Sequence, residues 1–227
     1  MGRSVSKKYF ASPDLLLGFD TETTGLDVAS ERAISYGFAA YERGRPVWSE
    51  HIFVKPDRPI SPGAQRVHGV SMEELEAKYL AHEAVSVPMG LIRAVAILRD
   101  YLSRGASIVG ANVSFFDIEM LRRSYSSVLH KDLRVDLQID RIPVIDVIQH
   151  DEAIEPRSVN PRRRSLTHLC QYYGVDPGGH NALSDARAAV EVFLAQIVRN
   201  DEQRRAAAAQ ISLPLSFDRS DVPLRGY

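Results

Sequence analysis

An apolar segment that ends in two acidic residues constrains this chain more than any other feature of its sequence. Residues 14–20 form a short apolar run, which is typical of a buried strand, and Asp20 and Glu22 lie at its end. Residues at positions i and i+2 of a strand point to the same side, so we expect the two carboxylates side by side. Burial and like charge both disfavour such a pair, and bound divalent cations would make it tolerable. The alternative is a strand end with two solvated acids, which this pair alone leaves open.

The order of the apolar segments predicts an α/β domain with a mixed central sheet. Residues 34–41 and 47–54 are further strand candidates, and the segment between them contains a glycine, as is typical of a hairpin turn. Three prolines in 56–62 predict a loop. Later elements are expected as helices from Ser71 and over 89–103, 116–125, 165–173 and 181–200, with strands at 107–110 and 142–147. An antiparallel start is then followed by parallel strands with helical crossovers.

Length and composition predict one globular domain with two tails. The chain has 227 residues, and its 44% hydrophobic and 25% charged residues are ordinary for a globular protein, which excludes bulk disorder and coiled coil. We expect a flexible tail at 1–13, a domain at 14–200 and a second flexible tail at 201–227. The net charge of -1 does not indicate nucleic-acid binding by bulk electrostatics, although a local basic patch would suffice for it.

Cysteine usage and hydropathy predict a cytoplasmic protein. Cys170 is the single cysteine, which excludes an intramolecular disulfide and a cysteine-based zinc site and is typical of a reducing setting. No apolar run approaches the ~20 residues of a membrane span. The first residues also lack the apolar region of a signal peptide. We therefore expect a cytoplasmic location and no membrane association.

Two further acids and a histidine lie at the starts of predicted helices. Asp117 follows two aromatic residues where a helix begins, and Asp185 lies in the second turn of a helix whose expected N-cap is Asn181. His180 precedes that helix, and two neighbouring glycines would make it mobile, as a general base on a gating loop can be. Taken singly, each has a structural explanation, since an acid near a helix N-terminus favours the helix dipole and a lone histidine is usually a surface or packed residue.

Taken together, the four carboxylates and the histidine predict a site with two divalent cations. Hard oxygen ligands suit Mg²⁺ or Mn²⁺. Two such ions about 3.5–4 Å apart stabilise both the attacking and the leaving oxygen of a phosphoryl displacement. A neutral histidine is suited to take a proton from the attacking water. The sequence therefore predicts hydrolysis of a phosphodiester.

The segments that carry these residues resemble the motifs of the DEDDh 3′→5′ exonucleases of the DnaQ-like family. Residues 19–26 (FDTETTGL) resemble the first motif, 108–117 (IVGANVSFFD) the second, and 180–185 (HNALSD) the third. In the second motif Ala111 stands where the family commonly has histidine. Residues 66–70 and 163–175 also resemble family segments. The likeness spans about 15–198 and is greatest to the proofreading epsilon subunit of bacterial replicative DNA polymerase.

The resemblance implies an RNase H-like fold with helices on both faces of the sheet. It implies that Asp20, Glu22, Asp117 and Asp185 are metal ligands and that His180 is the general base.

The same resemblance suggests contacts with the end of a nucleic-acid strand. The backbone of Thr23 and Thr24 is expected at the terminal 3′ nucleotide, Leu26 against the terminal base, and Phe116 near it. Aromatic stacking binds single strands without sequence preference. The alternatives are turn chemistry for the two threonines and core packing for Phe116.

Three weaker candidates complete the expected substrate contacts. His68 is placed near the phosphate, although a role in a turn is equally compatible with the sequence. Asn112 is retained from the second motif. Arg163 lies in an arginine-rich run, at 157–164, whose side chains would contact phosphates or remain in solvent.

Residues 210–215 (QISLPL) resemble the peptide with which bacterial proteins bind the sliding clamp. Gln210 would form hydrogen bonds in a clamp pocket, and Leu213 and Leu215 would fill an apolar groove. The alternative is that the segment packs on its own domain.

The leading prediction is a metal-dependent 3′→5′ exonuclease on single-stranded or frayed DNA that acts in proofreading or repair, beside a polymerase and the sliding clamp. An RNA 3′-end trimming or small-oligonucleotide nuclease has the same catalytic residues. A protein of another class, a non-catalytic adaptor that binds the clamp, would retain the fold without activity.

Overall fold

Three antiparallel strands open the domain. The computed structural model describes residues 13–138 and 141–211. Strand β1 (Leu15–Thr23) pairs with β2 (Ala33–Glu42), and β2 pairs with β3 (Arg45–Lys55). The turn between β2 and β3 has positive φ angles at Arg43 and Gly44, which the glycine adopts without strain. The three predicted strands and the hairpin are confirmed, with each strand two or three residues longer than expected.

The sheet has six strands in the order β4-β3-β2-β1-β5-β6. The later strands are β4 (Ala84–Ser86), β5 (Ser107–Gly110) and β6 (Val144–Asp146). Strand β5 lies parallel to β1, and β6 lies parallel to β5. The carboxyl ends of these three strands therefore meet at one edge of a mixed sheet, as the sequence predicted.

Within the described residues, eight helices connect and cover the strands. They are α1 (Pro62–His68), α2 (Met72–Leu80), α3 (Val87–Ser103), α4 (Asp117–Leu129), α5 (Leu133–Leu137), α6 (Val147–Ile154), α7 (Leu166–Tyr173) and α8 (Ala182–Ile211). Ser165 caps α7 through the backbone N–H of His168, and Gly174 ends that helix with a positive φ.

Strand β1 separates two apolar cores. Leu15, Leu17 and Phe19 point to one face, where α3 and α4 pack, and the alternating Leu16 points to the other, where α7 and α8 pack. Helices thus cover both faces of the sheet. This alternation also determines that Asp20 and Glu22 lie on the α8 side of the strand.

Helix α8 begins unusually close to the sheet because two strand residues lack side chains. A Cβ added to Gly37 would lie 2.1 Å from the carbonyl carbon of Ala182, and one added to Gly18 would lie 2.3 Å from the carbonyl oxygen of Ala186. No side chain fits at either position without moving the helix. The two glycines therefore bring the first turns of α8 directly onto β1 and β2.

The structure differs from the expected boundaries in four places. The proline-rich loop continues directly into helix α1, because Ser61 accepts a hydrogen bond from Ala64 and Pro62 occupies the first helical turn. The strand expected at 142–147 ends at Asp146, which caps α6. The helix expected at 116–125 continues to Leu129.

The fourth difference concerns the second tail, which was expected to begin at 201. Helix α8 continues through residues 201–211, which carry no glycine or proline to end it. Gln210 lies in its last turn, whereas Leu213 and Leu215 lie outside the described residues, as do residues 1–12.

The structure shows the helices and the single cysteine on which the expected location was based. Within the described part of the chain, each helix is too short or too polar to span a bilayer. Cys170 is a free thiol buried beneath α8.

Candidate active site

Three carboxylates converge at the carboxyl end of β1. Asp20 and Glu22 project from one face of the strand, and Asp185 reaches them from the first turn of α8. Each of the three offers an oxygen, and these oxygens lie within 4.8 Å of one another. All three side chains are partly buried. Helix α8 packs closely against Gly18 and Gly37. This packing brings Asp185, 165 positions after Asp20 in the chain, next to the two acids of β1.

Asp117 approaches the same strand from its other side. It is the first residue of α4, its side chain is buried, and its Oδ1 accepts a hydrogen bond of 2.6 Å from the Thr21 hydroxyl. It stands outside the group of three, yet its charge raises the pKa of both Asp20 and Glu22. The structure therefore brings together all four predicted carboxylates, three in one cluster and the fourth beside it.

The pKa values of these carboxyl groups are raised, chiefly by burial. Burial and the neighbouring charges hold the pKa of Asp20 well above its usual range. Burial, followed by the charges of Asp185 and Asp117, raises the pKa of Glu22 to about 7. Burial also raises the pKa of Asp117 to about 7, although the hydrogen bond from Thr21 opposes this rise, and it raises the pKa of Asp185.

No ion pair of the described residues balances the four acids. Among the ion pairs formed by residues 13–138 and 141–211, none involves Asp20, Glu22, Asp117 or Asp185. An unbalanced cluster of partly buried carboxylates is costly, and hard oxygen donors suit divalent cations of the magnesium type. The residues present therefore fit a divalent-cation site.

His180 lies beside this cluster on the loop that precedes α8. Its side chain is exposed, and its backbone adopts a positive φ of 60°. Its charge and its backbone N–H lower the pKa of Asp185, which places the histidine next to that carboxylate. Gly178 packs so closely that an added Cβ would overlap Asp185, and Asn181 caps α8 by accepting the N–H of Ser184. The sequence prediction of a loop histidine outside the helix is confirmed.

An apolar pocket of about 310 Å³, the Leu26 pocket, adjoins Glu22. Leu26 forms its outer wall with 86% of its surface exposed. Phe116 is only partly buried and lines the pocket, so it is not a core residue. Thr23 and His68 complete the set of predicted substrate residues that the structure places there.

His68 is held in a defined orientation at the back of the Leu26 pocket. Its Nδ1 accepts the backbone N–H of Val70 at 3.1 Å, so the ring's proton is on Nε2. Burial lowers the pKa of His68, the backbone of Thr23 opposes this, and the charge of His180 lowers it further. His68 therefore carries a ring proton on Nε2 and lines the same pocket as Glu22.

The polar groups of Thr24, which was predicted to contact the substrate through its backbone, are hydrogen-bonded within the protein. Its side chain is fully buried, donates to Glu31 and accepts the N–H of Arg32. Its backbone N–H donates to the carbonyl of Arg32, and its carbonyl accepts the N–H of Ser61. Thr24 thus connects the loop that contains Leu26 with β2 on one side and with α1 on the other.

Two other predicted contacts lie outside the described pockets. Asn112 is exposed with a positive φ of 60°, and its carbonyl accepts the N–H groups of Phe115 and Phe116, which shapes the turn before α4. Arg163 is exposed. The other members of the arginine run bind acids within the domain, including the fully buried Asp151, which pairs with Arg164 and Arg162.

A second pocket, of about 500 Å³, opens on the other side of the carboxylates. This α7 pocket is lined by Asp20, Asp185 and His180. The other lining residues follow β5, lie in α6, begin α7 or precede α8: Ala111, Ile148, Ser165, Leu166, Thr167, His168 and Gly178. A larger cavity of about 790 Å³ lies at the β2–β3 turn, at the opposite end of β1. None of the four carboxylates of the site lines it.

Sequence reasoning missed two contributors to the site. Thr21 was not singled out, although it donates to Asp117 and lines the Leu26 pocket. Helix α1 supplies Ala64 and Val67 to that pocket, but the prolines before it had predicted a loop. The available signal was the Ser61–Pro62 pair, which is typical of a helix start.

The chain is similar to known nucleases and polymerase subunits. It is 30% identical over 185 residues to DNA polymerase III subunit epsilon of Escherichia coli (strain K12), covering 78% of this chain and 68% of that protein. DNA polymerase III PolC-type of Thermotoga petrophila is 29% identical to this chain. The matched region covers 77% of this chain but only 11% of that much longer protein. Small RNA degrading nuclease 3 of Arabidopsis thaliana is 29% identical over 80% of this chain and 20% of its own length.

Solved structures show the same fold. Exonuclease I of Escherichia coli, in complex with a dT13 oligonucleotide, superposes with a TM-score of 0.66 at 20% identity, over 86% of this chain and 43% of that one. The fold is therefore the RNase H-like fold of the exonucleases. The model of the exonuclease family (RNase_T) matches residues 17–193, which include all four carboxylates and His180. The chain accordingly belongs to the exonuclease family, among its DnaQ-like members.

Proposed function

We propose that this protein is a divalent-cation-dependent 3′→5′ exonuclease that removes 5′-mononucleotides from the end of single-stranded or frayed DNA. The observation that carries the proposal is the cluster of four carboxylates, three of them within 4.8 Å, directly beside an apolar pocket. The cluster supplies the phosphodiester chemistry, and the pocket accepts one terminal nucleotide. The 3′ polarity is supported by the family to which the chain belongs.

Asp20, Glu22, Asp117 and Asp185 are the residues that would hold two cations, Mg²⁺ or Mn²⁺. When bound, the cations neutralise these acids and stabilise the negative charge that develops on the phosphate. The raised pKa values of Asp20 and Glu22 are supporting evidence, because they measure how unfavourable the ionised cluster is without positive charge.

The chain's own residues orient the reacting groups. Leu26 and Phe116 enclose the terminal base, and His68 offers its Nε2–H on the phosphate side of the same pocket. His180, beside Asp185, takes a proton from the attacking water. The water oxygen bonds to phosphorus while the bond from phosphorus to the 3′ oxygen of the preceding nucleotide breaks, which releases a 5′-mononucleotide.

DNA is the proposed substrate, with a role in proofreading or repair. Support comes from the epsilon relative, of which the chain spans 68%, and from the resemblance of residues 210–215 to a clamp-binding peptide. We propose Gln210, Leu213 and Leu215 as contacts to a sliding clamp, and a DNA polymerase as a further partner. Arg163 and Asn112 remain proposed contacts to the strand outside the two pockets.

RNA is the second candidate substrate, and the similarity to a small RNA degrading nuclease favours it. The carboxylates act on a phosphate and do not distinguish deoxyribose from ribose. The tolerance of the pocket for a 2′-hydroxyl therefore decides between DNA and RNA as the substrate. Matched DNA and RNA oligonucleotides of one sequence distinguish them, and faster turnover of RNA would reverse the assignment.

End-labelled single-stranded DNA tests the proposed function. With Mg²⁺ or Mn²⁺ we expect products that shorten from the 3′ end, and with chelator none. Asp20→Ala should abolish digestion, while Glu42→Ala, at an exposed acid at the opposite end of β1, should not. If the wild type degrades nothing with either cation yet binds the clamp, the protein is an adaptor.

A further inference from the structure

Asp151 on α6 holds both ends of helix α7. Its carboxylate accepts a hydrogen bond from Nε of Arg164, which precedes the N-cap of α7, and one of 2.7 Å from the hydroxyl of Tyr173, the last residue of that helix. Arg162 donates two more, of 2.7 and 2.8 Å. The side chains of Asp151 and Arg164 are both fully buried. One buried carboxylate thus fixes the start and the end of an eight-residue helix.

Arg164 also fixes the backbone that leads into α7. Its guanidinium donates to the carbonyl oxygens of Glu155, at the end of α6, and of Asn160 and Arg162, in the loop between the two helices. Ser165, the next residue in the chain, then caps α7. The position at which α7 begins therefore depends on the hydrogen bonds of one buried side chain.

Helix α7 leads to the active site at both of its ends. Its first turn lines the α7 pocket together with His180 and Asp185. At its other end, only residues 174–179 separate Tyr173 from His180. A displacement of α7 would therefore move both a wall of that pocket and the loop that carries the proposed general base.

Stability alone does not explain a buried ion pair at this place. The cost of removing two charges from water offsets much of their attraction, so apolar residues of similar volume often stabilise a fold as well or better. Hydrogen bonds of a planar guanidinium have defined directions, and Arg164 uses them to bind a carboxylate and three carbonyl oxygens at once. This arrangement favours a role in holding geometry.

We propose that Asp151 is a positioning residue of the active site, which acts on His180 through helix α7. With both ends of α7 fixed, the loop after it holds His180 beside Asp185. The inference rests on the proposed function, because it assumes that His180 takes the proton of the attacking water. None of the residues that line the Leu26 pocket belongs to α6 or α7. Asp151 therefore affects the chemical step and not the binding of the terminal nucleotide.

Two neighbouring tyrosines provide a matched test. Tyr173→Phe removes the hydroxyl that donates to Asp151 and keeps the ring, whereas Tyr172→Phe removes one that donates to Glu155 at 2.8 Å. Each variant loses a hydrogen bond to a carboxylate, so the melting temperatures should fall by similar amounts. A misplacement of about 1 Å can cost on the order of 100-fold, so Tyr173→Phe should slow single-turnover digestion of labelled DNA about tenfold and Tyr172→Phe less than about twofold. The Kd for DNA in Ca²⁺ should not change in either.

Arg164→Met extends the test to the start of α7. It removes the donors to Asp151 and to the three carbonyl oxygens, and we expect a rate about tenfold lower or less at an unchanged Kd for DNA. Arg162→Met is the control, since it removes ion pairs with the same Asp151 and with Glu155 but leaves the bonds of Arg164 to the backbone in place. If Arg164→Met does not fold, the tyrosine pair still decides.

A His180→Gln background shows whether the effect passes through the histidine. Residues that act as a unit have non-additive effects, so Tyr173→Phe should lower the remaining rate by less than about twofold in that background. Equal rates in Tyr173→Phe and Tyr172→Phe, or an undiminished loss in the His180→Gln background, would overturn the assignment. A wild type that digests no DNA with Mg²⁺ or Mn²⁺ would overturn the proposed function itself, and the role of Asp151 with it.

Discussion

The Thr21 hydroxyl donates a 2.6 Å hydrogen bond to Oδ1 of Asp117, so that a residue between the two acids of β1 holds the fourth carboxylate of the site. The two side chains are both buried, and their residues lie 96 positions apart in the chain. A hydrogen bond to a carboxylate favours its charged form and lowers its pKa. Thr21 therefore opposes the effect of burial, which raises the pKa of Asp117 to about 7.

Thr21→Val should raise the pKa of Asp117 further. Because the carboxyl group then binds protons more tightly, we expect weaker Mg²⁺ or Mn²⁺ binding near neutral pH and an acid limb of the pH–activity profile displaced upward. Hydrogen bonds to charged groups contribute about 1.5–3 kcal/mol, so the loss in kcat/KM should reach roughly tenfold or more. Thr21→Ser retains the hydroxyl and should behave like the wild type. Identical profiles for the valine and serine variants would contradict the role assigned to Thr21.

The stability of the cation-free protein should fall as the pH rises. The folded-state pKa values of Glu22 and Asp117 are about 7, above the ordinary values of 4.5 and 3.8. Below about pH 4 these groups are protonated in both states; between the ordinary values and 7 the unfolded chain releases protons that the folded protein retains. For Glu22 alone this difference lowers the free energy of unfolding by on the order of 3 kcal/mol once the pH exceeds 7, at 1.36 kcal/mol per pKa unit.

Thermal unfolding in chelator from pH 4 to 8, repeated with Mn²⁺, measures this linkage. The melting temperature should decrease across that interval, and Mn²⁺ should raise it more at pH 8 than at pH 5. Asp20→Asn removes one charge from the cluster, so at pH 8 without cations it should be more stable than the wild type and respond less to Mn²⁺. Equal pH dependence of stability in the wild type and in Asp20→Asn without cations would contradict raised pKa values in the cluster, because groups elsewhere, such as His51 with a pKa lowered to about 4, titrate in both proteins.

His180→Gln should slow the chemical step without weakening substrate binding. General base catalysis typically contributes on the order of 10²–10⁴-fold, and His180 is an exposed loop residue whose loss leaves the fold intact. Single-turnover digestion of labelled DNA measures the rate, and binding in Ca²⁺ measures affinity. His82→Gln, at an exposed histidine after α2, is the control. A variant that binds DNA weakly but turns over normally at saturation would assign His180 to binding.

The residues that sequence predicted best are those whose role follows from local spacing. Asp20 and Glu22 on one face of a strand, and Asp185 near the start of a capped helix, required only the periods of a strand and a helix. That Asp185 meets the pair on β1 does not follow from spacing, and it was predicted from the joint pattern of four acids at element ends and from the family resemblance. In the structure it depends on the absence of side chains at Gly18 and Gly37.

The residues that sequence predicted poorly are those whose hydrogen bonds cross between elements. Thr24 was expected at the substrate because it follows the acids, but Glu31 and Arg32 engage its hydroxyl. The arginine run was compatible with phosphate binding, yet Arg164 is buried against Asp151, and a linear pattern does not reveal that partner. Polar residues of this kind can be assigned only when their three-dimensional partners are known.

Thr24→Val should damage the Leu26 pocket and leave the carboxylates in place. The substitution removes the donor to Glu31 and the acceptor for the Arg32 N–H, so the loop that carries Leu26 loses its connection to β2. We expect about 1–3 kcal/mol of lost stability and a raised KM with little change in kcat. Thr24→Ser, which keeps both hydrogen bonds, should restore KM. A fall in kcat at unchanged KM would place Thr24 in the chemistry instead.

Gly37→Ala should separate the acids by displacing the start of α8. An added Cβ would lie 2.1 Å from the Ala182 carbonyl carbon, a distance that backbone atoms cannot accept, so the helix and Asp185 have to move away from β1. We expect a loss of about 1–3 kcal/mol in stability, as for other overpacked sites, and weaker Mn²⁺ binding in calorimetry. Gly63→Ala is the matched control, because the nearest atom to its added Cβ is 3.9 Å away. Unchanged Mn²⁺ affinity in a destabilised Gly37→Ala protein would show that the cation site does not depend on how closely α8 packs against the sheet.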